Sequence, residues 1–145
     1  WLIPIVPSSS AATTADGAFI ARGKPAEILE YDVHGELRRV FRIDGAARPV
    51  TREVIDAFID IERPTRPERQ ASLSRSAWRR AFERIGIPDT LPAFQALRVD
   101  EAGWLWAEVY DFDETRDSEW VVFDPEGRAH GTVRTPPGCS SSPSG

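Results

Sequence analysis

The sequence lacks several residue types and patterns that mark particular protein classes. Its 145 residues include no methionine and a single cysteine, Cys139, which cannot close an internal disulfide and so excludes a disulfide-rich scaffold. No apolar run approaches the roughly 20 residues of a membrane-spanning helix. The short apolar start lacks the basic flank of a signal peptide. The absence of methionine, with Trp1 as the first residue, predicts a fragment or a processed chain.

The residues that are present indicate one globular domain. Hydrophobic residues make up 41% of the chain and charged residues 28%, which excludes a purely disordered or collagen-like protein. The formal net charge of −5 does not favour a nucleic-acid partner, since proteins that bind phosphate backbones are commonly basic. We therefore expect a modest core, no nucleic-acid partner and no membrane span.

An internal repeat carries most of the fold prediction. Segment 16–21 (DGAFIA) aligns with segment 102–107 (AGWLWA), and segment 30–36 (EYDVHGE) aligns with segment 122–128 (VFDPEGR). Both copies place aromatic and β-branched residues between turn residues, a pattern typical of antiparallel hairpins. The second copy has a longer loop, and it includes a turn with the proline and glycine that type I turns favour.

Each copy of the repeat predicts four strands. In the second copy they cover residues 94–99, 104–109, 119–123 and 129–134. In the first copy a strand within residues 3–14 precedes strands at 18–21, 27–31 and 37–43. A four-stranded meander is the unit of a β-propeller blade, so we predict a partial propeller of two antiparallel blades. A β-sandwich is the alternative for eight short strands.

The repeat motifs resemble those of a known group of proteins. The Asp-Gly-x-h-h pattern, the Tyr/Phe-Asp-x-x-Gly turn and segment 88–94 (PDTLPAF), which leads to segment 103–106 (GWLW), resemble bacterial six-bladed β-propellers related to NHL-repeat proteins. The resemblance covers residues 1–138, or two blades. It implies a periplasmic or extracellular protein with a binding or scaffold role. The chain departs from the pattern at 139–145 (CSSSPSG), a low-complexity segment without strand periodicity.

These observations divide the chain into four predicted segments. They are a partial first blade at 1–44, a helical insertion at 45–92, a second blade at 93–135 and a disordered tail at 136–145. Blades bury their faces against neighbouring blades, so two alone leave apolar faces exposed. We therefore expect further blades or other copies of the chain to cover them.

The insertion is predicted to contain two helices. Thr51 is the expected N-cap of the first helix, which ends before Pro64. The second covers residues 67–85 and ends at Gly86. The second helix has an apolar stripe formed by Ala71, Trp78, Ala81, Phe82 and Ile85. We interpret this stripe as core packing, the usual role of aromatic residues at helical spacing.

Charge is distributed unevenly between the insertion and the second blade. Residues 62–84 contain seven arginines and three glutamates, whereas residues 100–127 contain ten acidic residues and one arginine. An arginine-rich helix can bind phosphate, because a guanidinium group makes forked hydrogen bonds to it. We instead interpret these arginines as solvated or paired within the molecule, with the acidic blade as the available partner.

One acidic loop provides the only candidate binding residues. They are Asp111, Asp113, Glu114 and Asp117. Calcium prefers such carboxylate oxygens, but the loop lacks the glycine of a calcium loop and has Val122 where that pattern needs glutamate. We therefore predict a solvated hairpin loop, with no metal and no cofactor.

Candidate catalytic groups do not form a recognisable motif. His34 is predicted in a turn and His130 in an outer strand, so they do not have the spacing of metal ligands. No Gly-x-Ser-x-Gly nucleophile motif occurs, and Cys139 has no evident base beside it. The sequence therefore predicts a non-enzymatic binding, interaction or scaffold module of unknown ligand. The alternative is a fragment of a propeller hydrolase or lyase whose active site lies mainly on other blades.

Overall fold

A computed structural model describes residues 10–22, 26–43, 48–113 and 115–137. They form two four-stranded antiparallel sheets with helices between them in the chain. Sheet 1 contains, in order, β1 (Ser10–Thr14), β2 (Gly17–Ala21), β3 (Glu27–Asp32) and β4 (Leu37–Arg42). Sheet 2 contains, in order, β5 (Phe94–Val99), β6 (Leu105–Val109), β7 (Ser118–Phe123) and β8 (Ala129–Thr135). The predicted mainly β class and the two four-stranded antiparallel sheets are confirmed.

The predicted strands match the observed ones closely. The strand predicted within residues 3–14 is β1, which occupies the end of that range. The division into segments 1–44, 45–92, 93–135 and 136–145 stays a prediction. Residues 138–145, which form most of the predicted tail, lie outside the described residues, as does Glu114.

Three hairpins close with the same hydrogen-bonded turn. In the β3–β4 turn, the Asp32 carboxylate accepts hydrogen bonds from the amides of His34 and Glu36 at 2.8 and 3.0 Å. Asp100 and Asp124 accept the corresponding bonds from amides two and four residues further along in the β5–β6 and β7–β8 turns. Each aspartate therefore pairs two backbone donors within its turn. This hydrogen bonding explains why Asp-x-x-Gly recurs in the sequence.

The β3–β4 and β7–β8 hairpins also share a β-bulge at the same place. Strand pairing skips Arg38 in β4 and His130 in β8, each six residues after its turn aspartate. The two hairpins therefore correspond residue by residue, and we call corresponding residues counterparts. The counterparts used below are Ile28 and Trp120, Leu29 and Val121, Glu30 and Val122, Tyr31 and Phe123, Arg39 and Gly131, and Phe41 and Val133.

The two sheets pack around one apolar cluster, with β1 closest to β5. Sheet 1 contributes the buried residues Phe19, Ala21, Ile28 and Phe41 to the cluster. Sheet 2 contributes Phe94, Leu97, Leu105, Ala107 and Phe123, and Ala93, just before β5, is also buried there. The rings of Phe41 and Phe123 are 5.3 Å apart between centroids. Beside them, Arg39 pairs with Glu30 and donates to the carbonyl oxygen of Pro125 at 3.0 Å. This contact connects β4 to the β7–β8 turn.

Counterparts in the β3–β4 and β7–β8 hairpins lie on opposite sides with respect to this interface. Phe41 of sheet 1 belongs to the inter-sheet cluster, whereas its counterpart Val133 is 40% exposed outside it. Conversely, Phe123 of sheet 2 belongs to the cluster, whereas Tyr31 does not. Successive side chains of a strand point to opposite faces of the sheet. The face that sheet 2 turns toward sheet 1 is therefore not the counterpart of the face that sheet 1 turns toward sheet 2. The two like sheets therefore pack head to tail.

The helical segment forms a second core at one end of sheet 2. It contains α1 (Arg52–Glu62), a 3₁₀ turn (Arg63–Thr65), α2 (Glu68–Ala71) and α3 (Arg75–Ile85). Its core comprises Phe58, Ile59, Trp78, Phe82, Leu91 and Tyr110. The interpretation of Trp78 and Phe82 as core residues is confirmed. Thr51 caps α1 through the amide of Val54, as predicted.

The prediction of one helix over residues 67–85 was wrong. The Ser74 hydroxyl accepts a hydrogen bond from the amide of Ala77 at 3.2 Å and starts α3 as a separate helix. In a continuous helix the Ala77 amide would donate to a backbone carbonyl of the preceding turn. The Ser74 hydroxyl accepts this hydrogen bond instead, which favours a new helix start at this point. Gly86 ends α3, as predicted. Ile85, which was assigned to the apolar stripe, is 50% exposed.

Contacts between residues 48–50 and 89–92 hold the two ends of the helical segment together. Pro49 and Thr90 form an isolated antiparallel bridge, with a backbone hydrogen bond on each side of it. The Arg48 guanidinium donates to the carbonyl oxygens of Pro92 and Tyr110 at 3.2 and 2.7 Å. The chain therefore leaves and rejoins the β structure at one place beside sheet 2.

Candidate functional site

The acidic loop between β6 and β7 is organised by its own carboxylates. Asp111 accepts a hydrogen bond from the amide of Asp113 at 2.9 Å, and Asp113 accepts one from the amide of Thr115 at 3.0 Å. Arg116 pairs with Asp113 at 3.1 Å and lies 3.8 Å from Asp111. The hydrogen bonds from Thr115, followed by the charge of Arg116, hold the pKa of Asp113 below its ordinary value. These two carboxylates therefore serve the loop itself.

Three of the four candidate acidic residues, Asp111, Asp113 and Asp117, lie in the described part of the chain and do not form a metal-binding group there. Asp111 and Asp117 line a groove of about 480 Å³, together with Arg116, Glu119 and Arg134. The described part of the chain contains no group of three histidine, cysteine, aspartate or glutamate side chains placed to hold a metal ion. The groove carries both signs of charge, so it gives no preference for an anionic or a cationic ligand.

A second cavity lies between the turn ends of the two sheets. This cleft of about 490 Å³ is lined in part by Asp100 and Asp124, which hold their turns together. Asp100 also accepts a hydrogen bond from the Trp106 indole at 3.1 Å, and Asp124 lies 2.7 Å from His130 Nε2. The Arg128 amide, and after it His130, hold the pKa of Asp124 below its ordinary value. Both carboxylates therefore have structural partners.

Two of the four arginines of α3 pair with acidic residues of α1. Arg75 binds Asp60 and Arg79 binds Asp56, at 2.7 and 2.6 Å. The hydrogen bond from Arg79 lowers the pKa of Asp56. The pairing is within the molecule, as we interpreted, but these partners lie on α1 rather than in the acidic second sheet. The packing of α3 against α1 brings the charges of those two helices together.

Exposed apolar side chains are found on the sheet faces that point away from the inter-sheet cluster. Face A, on sheet 1, comprises Ile20, Leu29, Tyr31, Leu37 and Val40, of which Leu29 is buried at 6% exposure. Leu37 is 53% exposed and Val40 is 37% exposed. The sequence pattern does not indicate face A, because the bulge in β4 changes which residues share a side.

The corresponding outward face of sheet 2 is exposed mainly at its edge. Face B comprises the apolar residues Trp106, Trp120, Val122 and Val133, and the ionisable residues Arg98 and Glu108 lie on the same side, opposite Trp106 and Trp120. Trp120, at its centre, is 2% exposed and donates its indole N–H to the hydroxyl of Thr135 at 3.2 Å. Val133, on the outer strand β8, is 40% exposed. The accessible part of face B is therefore its β8 edge.

Comparisons with known proteins assign no family to this chain. No protein-family model, curated protein or solved structure matches it. Within the described ranges, every helix is too short or too polar to span a lipid bilayer. The basis for a functional proposal is therefore the arrangement of the two sheets and their outward faces.

Proposed function

We propose that this chain is a non-enzymatic interaction and scaffold module of the β-propeller type, which binds a further four-stranded sheet on face A. The head-to-tail packing of the two sheets carries the proposal. Successive blades of a propeller are related by rotation about one axis, so each blade presents the same face to the next. A two-fold pair of sheets would instead bury the same face of both, so a contact of Phe41 with Phe123 would be matched by one of Val133 with Tyr31. Tyr31 and Val133 both lie outside the inter-sheet cluster, which supports the first arrangement.

The side chains of face A support its role as a docking surface. Leu29 and Tyr31 are the counterparts of Val121 and Phe123, which pack in the existing contact between the sheets. Face A therefore carries apolar residues at positions that sheet 2 uses to bind another sheet. In repeat proteins each unit buries its face on the next one, and an uncovered end face is unfavourable. Covering Leu37 would remove its exposed apolar surface from water.

Light scattering after size-exclusion chromatography tests the proposal. One chain has a mass of 16.2 kDa, and we expect the wild-type protein to elute with the mass of several chains. The double variant Leu37→Asp with Val40→Asp should elute as a single chain, because association would bury two unpaired charges. Leu73→Asp is the matched control, since Leu73 is 44% exposed on the helical segment, and it should keep the wild-type mass.

Two results would contradict the proposed function. One is a wild-type protein with the mass of a single chain over the whole concentration range. The other is an equal loss of mass in the double variant and in Leu73→Asp, which would show that association does not depend on face A.

A further inference from the structure

We infer that the partner of face A is face B of a second copy of this chain. This inference rests on the proposed function and adds the identity and orientation of the partner. The existing inter-sheet contact joins one face of sheet 1 to the opposite face of sheet 2. Face A therefore corresponds to the face of sheet 2 that is buried in this contact, and face B corresponds to the buried face of sheet 1. A second copy can continue the same packing at either end.

The existing contact specifies which side chains meet between copies. Within one chain, Phe41 packs against Phe123. The counterpart of Phe41 is Val133, which is exposed on face B, and the counterpart of Phe123 is Tyr31, which lies on face A. Repetition of the same geometry places Val133 of one copy against Tyr31 of the next.

The contact between copies differs from the internal one in its polar content. Inside the chain, Glu30 is 7% exposed and pairs with Arg39 at the sheet contact. Their counterparts in sheet 2 are Val122 and Gly131, which carry no charge. Face B therefore brings no ionised side chain to this part of the contact. Burial of a charge is unfavourable without a partner, so the uncharged positions of Val122 and Gly131 suit the apolar residues of face A at this part of the contact.

A contact between unlike faces fixes how copies add to one another. Such a heterologous contact adds copies in one direction and ends only when a ring closes. Propellers contain roughly four to eight blades, so two to four copies of a two-sheet chain would close a ring. A contact between two A faces would stop at two copies and leave both B faces free.

Mixing two complementary variants distinguishes these arrangements. The face-A variant, Leu37→Asp with Val40→Asp, keeps face B, and the face-B variant Val133→Asp keeps face A. We expect each variant alone to elute with the mass of one chain. The equimolar mixture should contain a species of twice that mass and nothing larger, because its two remaining outward faces carry aspartate. Leu73→Asp in place of either variant should restore larger species.

Each other outcome of the mixing experiment contradicts a defined part of the argument. If Val133→Asp keeps the wild-type mass, face B is not needed; the inference is then wrong, and the proposed function survives. The inference is also wrong, and the proposed function again survives, if wild type associates but the mixture contains only single chains. This conclusion requires that both variants keep the wild-type melting temperature. For a variant that melts earlier, the milder changes Leu37→Ser and Val133→Thr replace it in the same test. A wild-type protein that never associates contradicts both proposals.

Discussion

Sheets 1 and 2 have the same local structure but differ in what their corresponding residues contact. Both contain a turn aspartate that binds two backbone amides, and both have a bulge six residues later. Yet Phe41 is 7% exposed, whereas its counterpart Val133 is 40% exposed. The hydrogen bonds of a hairpin depend on nearby residues, while burial depends on which face another sheet covers. Similar repeat sequences therefore specify similar hairpins without specifying similar environments.

The largest expected difference between the sheets is at this pair of counterparts. Phe41→Ala should lower the free energy of unfolding by about 3–5 kcal/mol, because it leaves a cavity beside Phe123. Val133→Ala should lower it by less than about 1 kcal/mol in the single chain, since the side chain is already partly solvated. Urea denaturation of dilute protein measures both values. Equal losses would contradict the assignment of the two residues to opposite faces.

The two turn glycines provide a second matched comparison. Gly35 and Gly127 both have positive φ angles, +80° and +88°, so alanine at either position should cost about 1–2 kcal/mol. A Cβ at residue 127 would also lie 3.0 Å from Arg39 Nη1 and 3.1 Å from the Phe41 ring, whereas one at residue 35 meets nothing within 4 Å. Gly127→Ala should therefore cost roughly 1–3 kcal/mol more than Gly35→Ala in the same denaturation experiment. Identical costs would show that the turn at Gly127 is free to move away from sheet 1.

The smallest expected effect concerns the turn carboxylate beside His130. The Asp124 pKa is lowered in the folded protein, mainly by the Arg128 amide, so folding favours the ionised form. Its stabilising contribution is therefore complete above the ordinary aspartate pKa of about 4 and is lost as the pH falls through the lowered pKa. Asp124→Asn should reduce the acid-side fall in melting temperature. Glu126→Gln in the same turn is the control, and matching pH profiles for wild type and Asp124→Asn would exclude this role.

Sequence reasoning succeeded where local chemistry decides the structure. The strands follow from β-branched and aromatic residues between turns, and the helix start at Thr51 follows from its capping hydroxyl. It failed at Ser74, where a second capping serine interrupts a pattern that otherwise suits one helix. It also aligned Tyr31 with Phe123 correctly as repeat positions, but alignment alone does not indicate that only Phe123 packs in the sheet contact.

The candidate binding residues illustrate the same division. The sequence identified an acidic loop, but it did not indicate that Asp113 would bind Thr115 and Arg116 within that loop. It identified an excess of arginine, but the partners of Arg75 and Arg79 on α1 depend on how two helices pack. In both cases the charges were predicted and their partners were not, because partners are set by distances across separate parts of the chain.

By itself, the sequence determined the β-rich class, the repeated Asp-x-x-Gly turns and the positions of most strands and helix ends. Each of these depends on interactions between residues a few positions apart, which amino-acid type and spacing describe well. Only the tertiary structure decided that unlike faces of the two sheets meet, that the buried Glu30 pairs with Arg39 and that Leu37 and Val40 remain exposed. These features depend on long-range packing, and strand alternation gives every sheet two faces without stating which one another sheet will cover.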